Sequence, residues 1–325
     1  MANDQLPIAN NQLCDLHLHL DGAVRPRTVW DLAREQGHRL PARSVREVAR
    51  LVRVSKSCRN LTAFLKTFEV FYPLLRTPVA VERIAFELCE DQAKSGVDCF
   101  EARFAPVLQA REGFSMEEAV ERALAGLRRG CAKFGVEAGL ILCCYRSESP
   151  ASSLRTVRIA RRHISNGVVG IDLAGDEIRF PARAHLKAFK LAQRWGIPVT
   201  VHAGEAGPAS NILEAVLDLG ASRIGHGVRL EDDTRTYDLV VKRQIPLEMC
   251  LTSNVQTGVV KSYTSHPFAR YLRDGVMVTL NSDDPGVSNT TLPREYELAR
   301  KHLHLSPPEL QAIRLNAFVA RFSRT

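Results

Sequence analysis

Apolar residues in this chain fall into short blocks that alternate with amphipathic ones. In the first block, about residues 12–20, Leu16, Leu18 and Leu20 lie on one face of a strand and His17 and His19 on the other. Beyond it the pattern becomes regular. Helical spacing over Val79–Lys94, Met116–Phe134, Ser152–Ile164, Ala182–Trp195, Asn211–Leu219, Asp232–Arg243 and Pro267–Arg273 precedes strand-like runs. Those runs are Val97–Pro106, Val136–Tyr145, Gly167–Ala174, Ile197–Ala203, Arg223–His226, Ile245–Leu251 and Val276–Asn281. Continuously apolar strands such as Val276-Met277-Val278-Thr279-Leu280 suit a parallel sheet covered on both faces. Eight such units predict an α/β fold, the (β/α)8 barrel. A doubly wound open sheet is the competitor, and the lack of a Gly-x-Gly-x-x-Gly after the first strand counts against it.

Three stretches stand outside the repeat. Residues 1–11 read as an N-terminal tail, and a helical segment of about Arg294–Phe322 closes the chain. Residues 25–75 are too long for one connection. Helices are expected there at Thr28–Gln36, Ser44–Val54 and Leu61–Leu75, the last with Phe64, Phe68 and Phe71 at core-like spacing. The expected organisation is one barrel domain, residues 12–325, with 25–75 as a helical insertion over the active-site end.

Composition narrows the class. Hydrophobic content of 45% and charged content of 25% over 325 residues are ordinary for a globular protein. No apolar run approaches the ~20 residues of a membrane span, and residues 1–10 lack the form of a signal peptide, so a cytoplasmic protein without a membrane partner is expected. The eight cysteines lack CxxC spacing and several sit in apolar runs, as small hydrophobes rather than a disulfide framework. The net charge of +8 is spread out. Its densest group, Arg155, Arg158, Arg161 and Arg162, reads as a solvated helix face rather than a nucleic-acid surface.

Catalytic groups in a barrel sit at the C-terminal ends of the strands, and the polar residues fall there. They are His17, His19 and Asp21 after strand one, and Asp172 with Gly175-Asp176-Glu177 after strand four. His202 and Glu205 follow strand five, His226 strand six, Thr252-Ser253-Asn254 strand seven, and Asn281-Ser282-Asp283-Asp284-Pro285 strand eight. Singly, each has a structural explanation. A lone histidine can be a hydrogen-bonded structural residue, and Asp-Asp-Pro can start a helix. Jointly they suit a metal centre of three histidines and a carboxylate with one position open to water, the donor set of catalytic Zn²⁺. His38, His163, His185, His266, His302 and His304 read as surface or structural.

These stretches carry a resemblance. HLHLDG (17–22 with the preceding Leu16), DLAGDE (172–177), HAGE (202–205), IGHG (224–227), SNVQTG (253–258) and LNSDDP (280–285) are similar to the motifs of the adenosine deaminase family of amidohydrolase barrels, in the family's order. The resemblance implies one Zn²⁺ held by His17, His19, His202 and Asp283. It implies Glu205 as the acid that protonates the purine N1, and His226 as the residue that orients and helps deprotonate the metal's water. Asp284 would contact N7, the Gly175 N–H would meet the N3 edge, and Asp21 would meet the ribose 5′-hydroxyl, with His19 also facing the substrate. The implied activity is hydrolytic deamination of adenosine and 2′-deoxyadenosine, a small-molecule partner and no nucleic acid. Adenine or a modified nucleoside such as aminofutalosine is the alternative. Leu13, Asp15 and Leu251 depart from residues common in the family, at positions that are not implied ligands.

Overall fold

Strands buried on both faces take apolar side chains on both, which is why the short runs above pair in parallel. The computed structural model describes residues 12–55, 58 and 60–323; the expected tail lies outside them. Eight strands alternate with helices: β1 Cys14–His19, β2 Cys99–Phe104, β3 Glu137–Tyr145, β4 Val168–Ala174, β5 Thr200–Ala203, β6 Arg223–His226, β7 Leu247–Met249 and β8 Val278–Leu280. They form two four-stranded parallel sheets, in the orders β1-β2-β3-β4 and β5-β6-β7-β8.

A single parallel bridge joins the sheets at each seam. Ile171 pairs with Val199 between β4 and β5, and Leu18 with Asp283 between β1 and the end of β8. At the second seam the His19 N–H donates to the Asp283 carbonyl at 2.7 Å and the Asp283 N–H to the His17 carbonyl at 2.8 Å. The architecture is the expected (β/α)8 barrel, and its second seam is stitched by residues of the candidate site. The final helix, Pro307–Ala320, packs across β8 and β1. No helix among the described residues is long and apolar enough to cross a membrane.

Several expectations need correction. The closing segment is two helices, Leu292–His302 and Pro307–Ala320, because Ser306 and Glu309 form a capping box in front of Pro307 and Pro308. The expected helix at Leu61–Leu75 is α-helical only over Leu61–Lys66. Two 3₁₀ turns follow, Thr67–Val70 and Tyr72–Leu75, where Pro73 lacks the N–H that a continued helix needs. The run at Ile245–Leu251 is strand only over Leu247–Met249, and a short helix, Leu251–Gln256, starts at Leu251. Leu251 is the first residue of that helix, a position where a proline is also tolerated. Cys14 and Cys99 form a disulfide, which cysteine spacing did not suggest. The β1–β2 register sets them opposite one another with Cα atoms 4.7 Å apart, within disulfide range. None of the other six cysteines forms a disulfide among the described residues, so one bridge is no framework. Arg155, Arg158, Arg161 and Arg162 are exposed, as a solvated helix face requires.

Candidate active site

At the C-terminal mouth of the barrel, β1, β5 and the end of β8 bring nitrogen and oxygen donors together. His19 Nε2 is 3.2 Å from His202 Nε2, and Asp283 Oδ1 is 3.3 Å from His17 Nε2 and 3.4 Å from His19 Nε2. Donors bound tetrahedrally at ~2.0–2.1 Å stand roughly 3.3 Å from one another. The four groups therefore fit one divalent ion, and the buried His17 Nε2 makes no hydrogen bond that would compete. His226 adds a fifth donor within 4.8 Å of those of His17, His202 and Asp283. Asp283 and His226 both adopt positive φ, 61° and 62°. Side chains other than glycine rarely do so, and such strain collects at functional sites.

A buried ionic layer below aims the imidazoles. The outer nitrogen of His17, Nδ1, is 2.8 Å from Glu248 Oε2, and that of His202 is 2.8 Å from Asp172 Oδ2. Arg103 donates to both carboxylates, at 2.7 Å to Glu248 and 3.1 Å to Asp172. Arg223 and Thr200 donate to the other Glu248 oxygen at 2.6 and 3.0 Å. Burial disfavours the Glu248 charge, but the Arg103 and Arg223 guanidiniums outweigh it and hold the carboxyl well below its usual range. Carboxylates behind ligating histidines fix ring orientation and raise ligand basicity. Asp15 serves the same end of β1. It accepts the Ser282 hydroxyl at 2.5 Å and so ties the strand to the residue before Asp283.

Three acids border the cavity above this centre. Asp284 stands at the start of the helix Pro285–Ser288 but makes no side-chain cap. Its buried Oδ1 has no hydrogen-bond partner, so the structural explanation for Asp-Asp-Pro leaves this carboxyl unused. Burial, then the charges of Asp283, Asp21 and Glu205, push it well above the carboxylate range. Glu205 is pushed up likewise, by burial first and then by Asp283 and Glu177. Asp21 accepts the Tyr72 hydroxyl at 2.9 Å. Gly175 lines the same cavity with φ of 102°.

His226 is oriented by a chain of hydrogen bonds. The Phe268 N–H donates to His266 Nδ1, so the neutral His266 ring carries its proton on Nε2 and donates to Asn254 Oδ1 at 3.2 Å. The Asn254 amide therefore turns its NH₂ to His226 Nδ1, at 3.1 Å. Burial holds His226 well below its usual pKa, and the neutral ring keeps its proton on Nε2, 3.7 Å from Glu205 Oε2. His266, read from the sequence as surface or structural, is buried and sets this tautomer.

The donor cluster and the cavity together bring in His17, His19, Asp21, Gly175, His202, Glu205, His226, Asp283 and Asp284, whereas Asp176 lines a separate pocket and Thr252 bonds Glu295. Glu248, Arg103, Arg223, Tyr72 and Asn254 were not assigned a role. A charged residue inside an apolar strand, as at Arg103 and Glu248, is the signal that could have found two of them. Part of the cavity wall is apolar, with Leu61, Phe64, Leu65 and Phe68, and among the described residues no lysine or arginine lines it.

A parallel (β/α)8 barrel with this donor cluster at its C-terminal mouth defines a hydrolase of the amidohydrolase type. The chain matches the sequence model described as Adenosine deaminase over residues 12–324, and it belongs to that family. It is 40% identical over 310 residues to an adenosine deaminase of Clostridium botulinum (strain Okra), covering 95% of this chain and 92% of that one. Solved structures extend the likeness. An adenine deaminase from Arthrobacter aurescens superposes with a TM-score of 0.89 at 28% identity, covering 96% of this chain and 94% of the other. An Arabidopsis N6-mAMP deaminase gives 0.85 at 30% identity, with 96% and 94% covered. A zinc-bound amidohydrolase from Burkholderia ambifaria gives 0.88 at 25% identity, with 99% and 91% covered. The protein is a hydrolytic deaminase.

Proposed function

We propose that this enzyme deaminates adenosine and 2′-deoxyadenosine to inosine and 2′-deoxyinosine, with one Zn²⁺ per chain held by His17, His19, His202 and Asp283. The observation that supports the substrate class is the cavity itself: three acids besides the ligand Asp283, namely Asp21, Glu205 and Asp284, and no lysine or arginine among its described lining residues. That lining, rich in carboxyl groups, suits an uncharged purine nucleoside better than a phosphate-bearing one. The curated adenosine deaminase of C. botulinum and the zinc-bound B. ambifaria structure support the activity and the metal.

A zinc ion held by His17, His19, His202 and Asp283 would supply a water acidified toward neutrality as the nucleophile for C6. The chain's own groups do the rest. Glu205, kept protonated by burial, gives its proton to N1 and so accepts the charge that attack at C6 pushes into the ring. Asp284, also protonated, donates to N7, and the Gly175 N–H meets N3. Asp21, with Tyr72 holding one of its oxygens, accepts from the 5′-hydroxyl. His226 donates through Nε2–H to the attacking oxygen and fixes its direction. In this tautomer its part is to orient the attacking oxygen. Residues 25–75 form an insertion on the one barrel domain, and their apolar side chains shield the reaction from water.

The A. aurescens adenine deaminase favours a second reading, in which free adenine is the substrate. A panel of adenosine, 2′-deoxyadenosine, adenine, AMP and aminofutalosine, followed by loss of absorbance near the adenine maximum, separates the two. The nucleosides are expected to have the highest kcat/KM; a preference for adenine would overturn the proposal.

A further inference from the structure

The loop that carries Glu205 is wrapped around another acid. Glu177, just beyond β4, accepts the backbone N–H groups of Glu205 and Gly207 on Oε1, both at 2.7 Å. Its Oε2 accepts the Gly204 N–H at 3.0 Å and the Asn211 side-chain amide at 2.9 Å. Four donors thus converge on a carboxylate that is only 6% exposed. The loop is shaped for it, since a β-carbon on Gly207 would lie 2.8 Å from Glu177 Cδ. Successive N–H groups curled around an anion form a nest, and this nest is filled by the protein's own side chain. Bonds to an ionised acceptor are the stronger kind.

We propose that Glu177 is the positioning residue for Glu205: its carboxylate sets the backbone of residues 204–207 and thereby the aim of the Glu205 side chain into the cavity. The motif DLAGDE thus supplies a brace for the motif HAGE. This rests on the role of Glu205 as the N1 acid. The Glu205 side chain has Thr257 as a hydrogen-bond partner, and the neutral His226 ring stands 3.7 Å from its Oε2. These contacts leave its aim dependent on the backbone that Glu177 holds, and a shift of about 1 Å in a reacting group can cost about a hundredfold in rate.

The test uses zinc-loaded Glu177→Gln, Glu205→Gln and Gly207→Ala with adenosine. Glutamine puts an NH₂ against two N–H donors whichever way it turns. Glu177→Gln is expected to lose about a hundredfold in kcat, with KM within about threefold of wild type and about one zinc per chain retained. Gly207→Ala should show the same split, and the double variant should be no worse than the poorer single one. If Glu177→Gln does not fold, Asn211→Ala removes one donor and should lower kcat about threefold or more at unchanged KM. Wild-type kcat in the variant tested overturns the inference, as does a loss of zinc or a rise in KM that matches the fall in kcat. An inactive Glu205→Gln beside an active Glu177→Gln sinks the brace alone; an active Glu205→Gln sinks the acid role and the brace with it.

Discussion

Gly22 and Asp284 stand so close that a β-carbon on Gly22 would lie 1.7 Å from Asp284 Oδ1. The turn after β1 and the turn after β8 are also hydrogen-bonded, with the Gly286 N–H donating to the Gly22 carbonyl at 2.9 Å. Glycine at 22 is what lets the Asp284 carboxyl stay in the cavity. Gly22→Ala is expected to swing that carboxyl away while leaving the metal ligands in place. Steady-state kinetics on adenosine should show kcat/KM lower by about a hundredfold, at normal zinc content. A variant with wild-type kinetics would show that Asp284 does not act on the substrate.

The metal should depend on the layer beneath it. Wild-type protein is expected to carry about one zinc per chain by elemental analysis and to lose activity on chelation. His17→Ala or Asp283→Ala should lose both. Glu248→Gln keeps the shape but weakens the hold on His17 Nδ1, and should lower zinc affinity by about 10–100-fold in a competition titration. Two metals per chain, or Glu248→Gln with unchanged affinity, would contradict the arrangement.

Asp21 should exclude a 5′-phosphate. Two unit charges at ~4 Å and an effective dielectric of ~20 repel by roughly 4 kcal/mol before screening, and a third of that is about tenfold in binding. Wild type is expected to favour adenosine over AMP by at least about a hundredfold in kcat/KM, and Asp21→Asn to narrow the gap. An adenosine-to-AMP ratio that does not move in Asp21→Asn would remove Asp21 from this role.

Acid should destabilise the fold through His266. Burial pushes its pKa down from 6.5 to about 3. The unfolded chain therefore binds the extra proton first, and stability falls as pH drops from about 6.5 toward about 3. Between pH 6.5 and 4.5 this one group accounts for roughly 2–3 kcal/mol. Urea midpoints measured across that range should fall more steeply for wild type than for His266→Gln. Parallel slopes would mean that His266 stays neutral in neither state or in both.

The alternation of helix and strand, and with it the barrel, was legible in the chain because both are local. A period of two or of 3.6 residues is written within a few turns, and Leu16, His17, Leu18 and His19 display theirs in four consecutive positions. The strand-end histidines and acids were legible for the same reason: in a barrel, the end of a strand is already the mouth. The interruptions at Pro73 and Ser306 were written locally too, but propensity over a long window masked them.

The bracing of the site was decided only by closure of the barrel. His17 meets Glu248 across 231 positions, and Arg103 reaches both Asp172 and Glu248. Tyr72 finds Asp21 from 51 residues away, and the Phe268 N–H sets the proton on His226 through two intervening side chains. Which charged side chain faces which inside the ring depends on strand stagger and on how the seams close. A linear pattern carries no record of that stagger, and buried charges such as these are stable only once their partners stand opposite them.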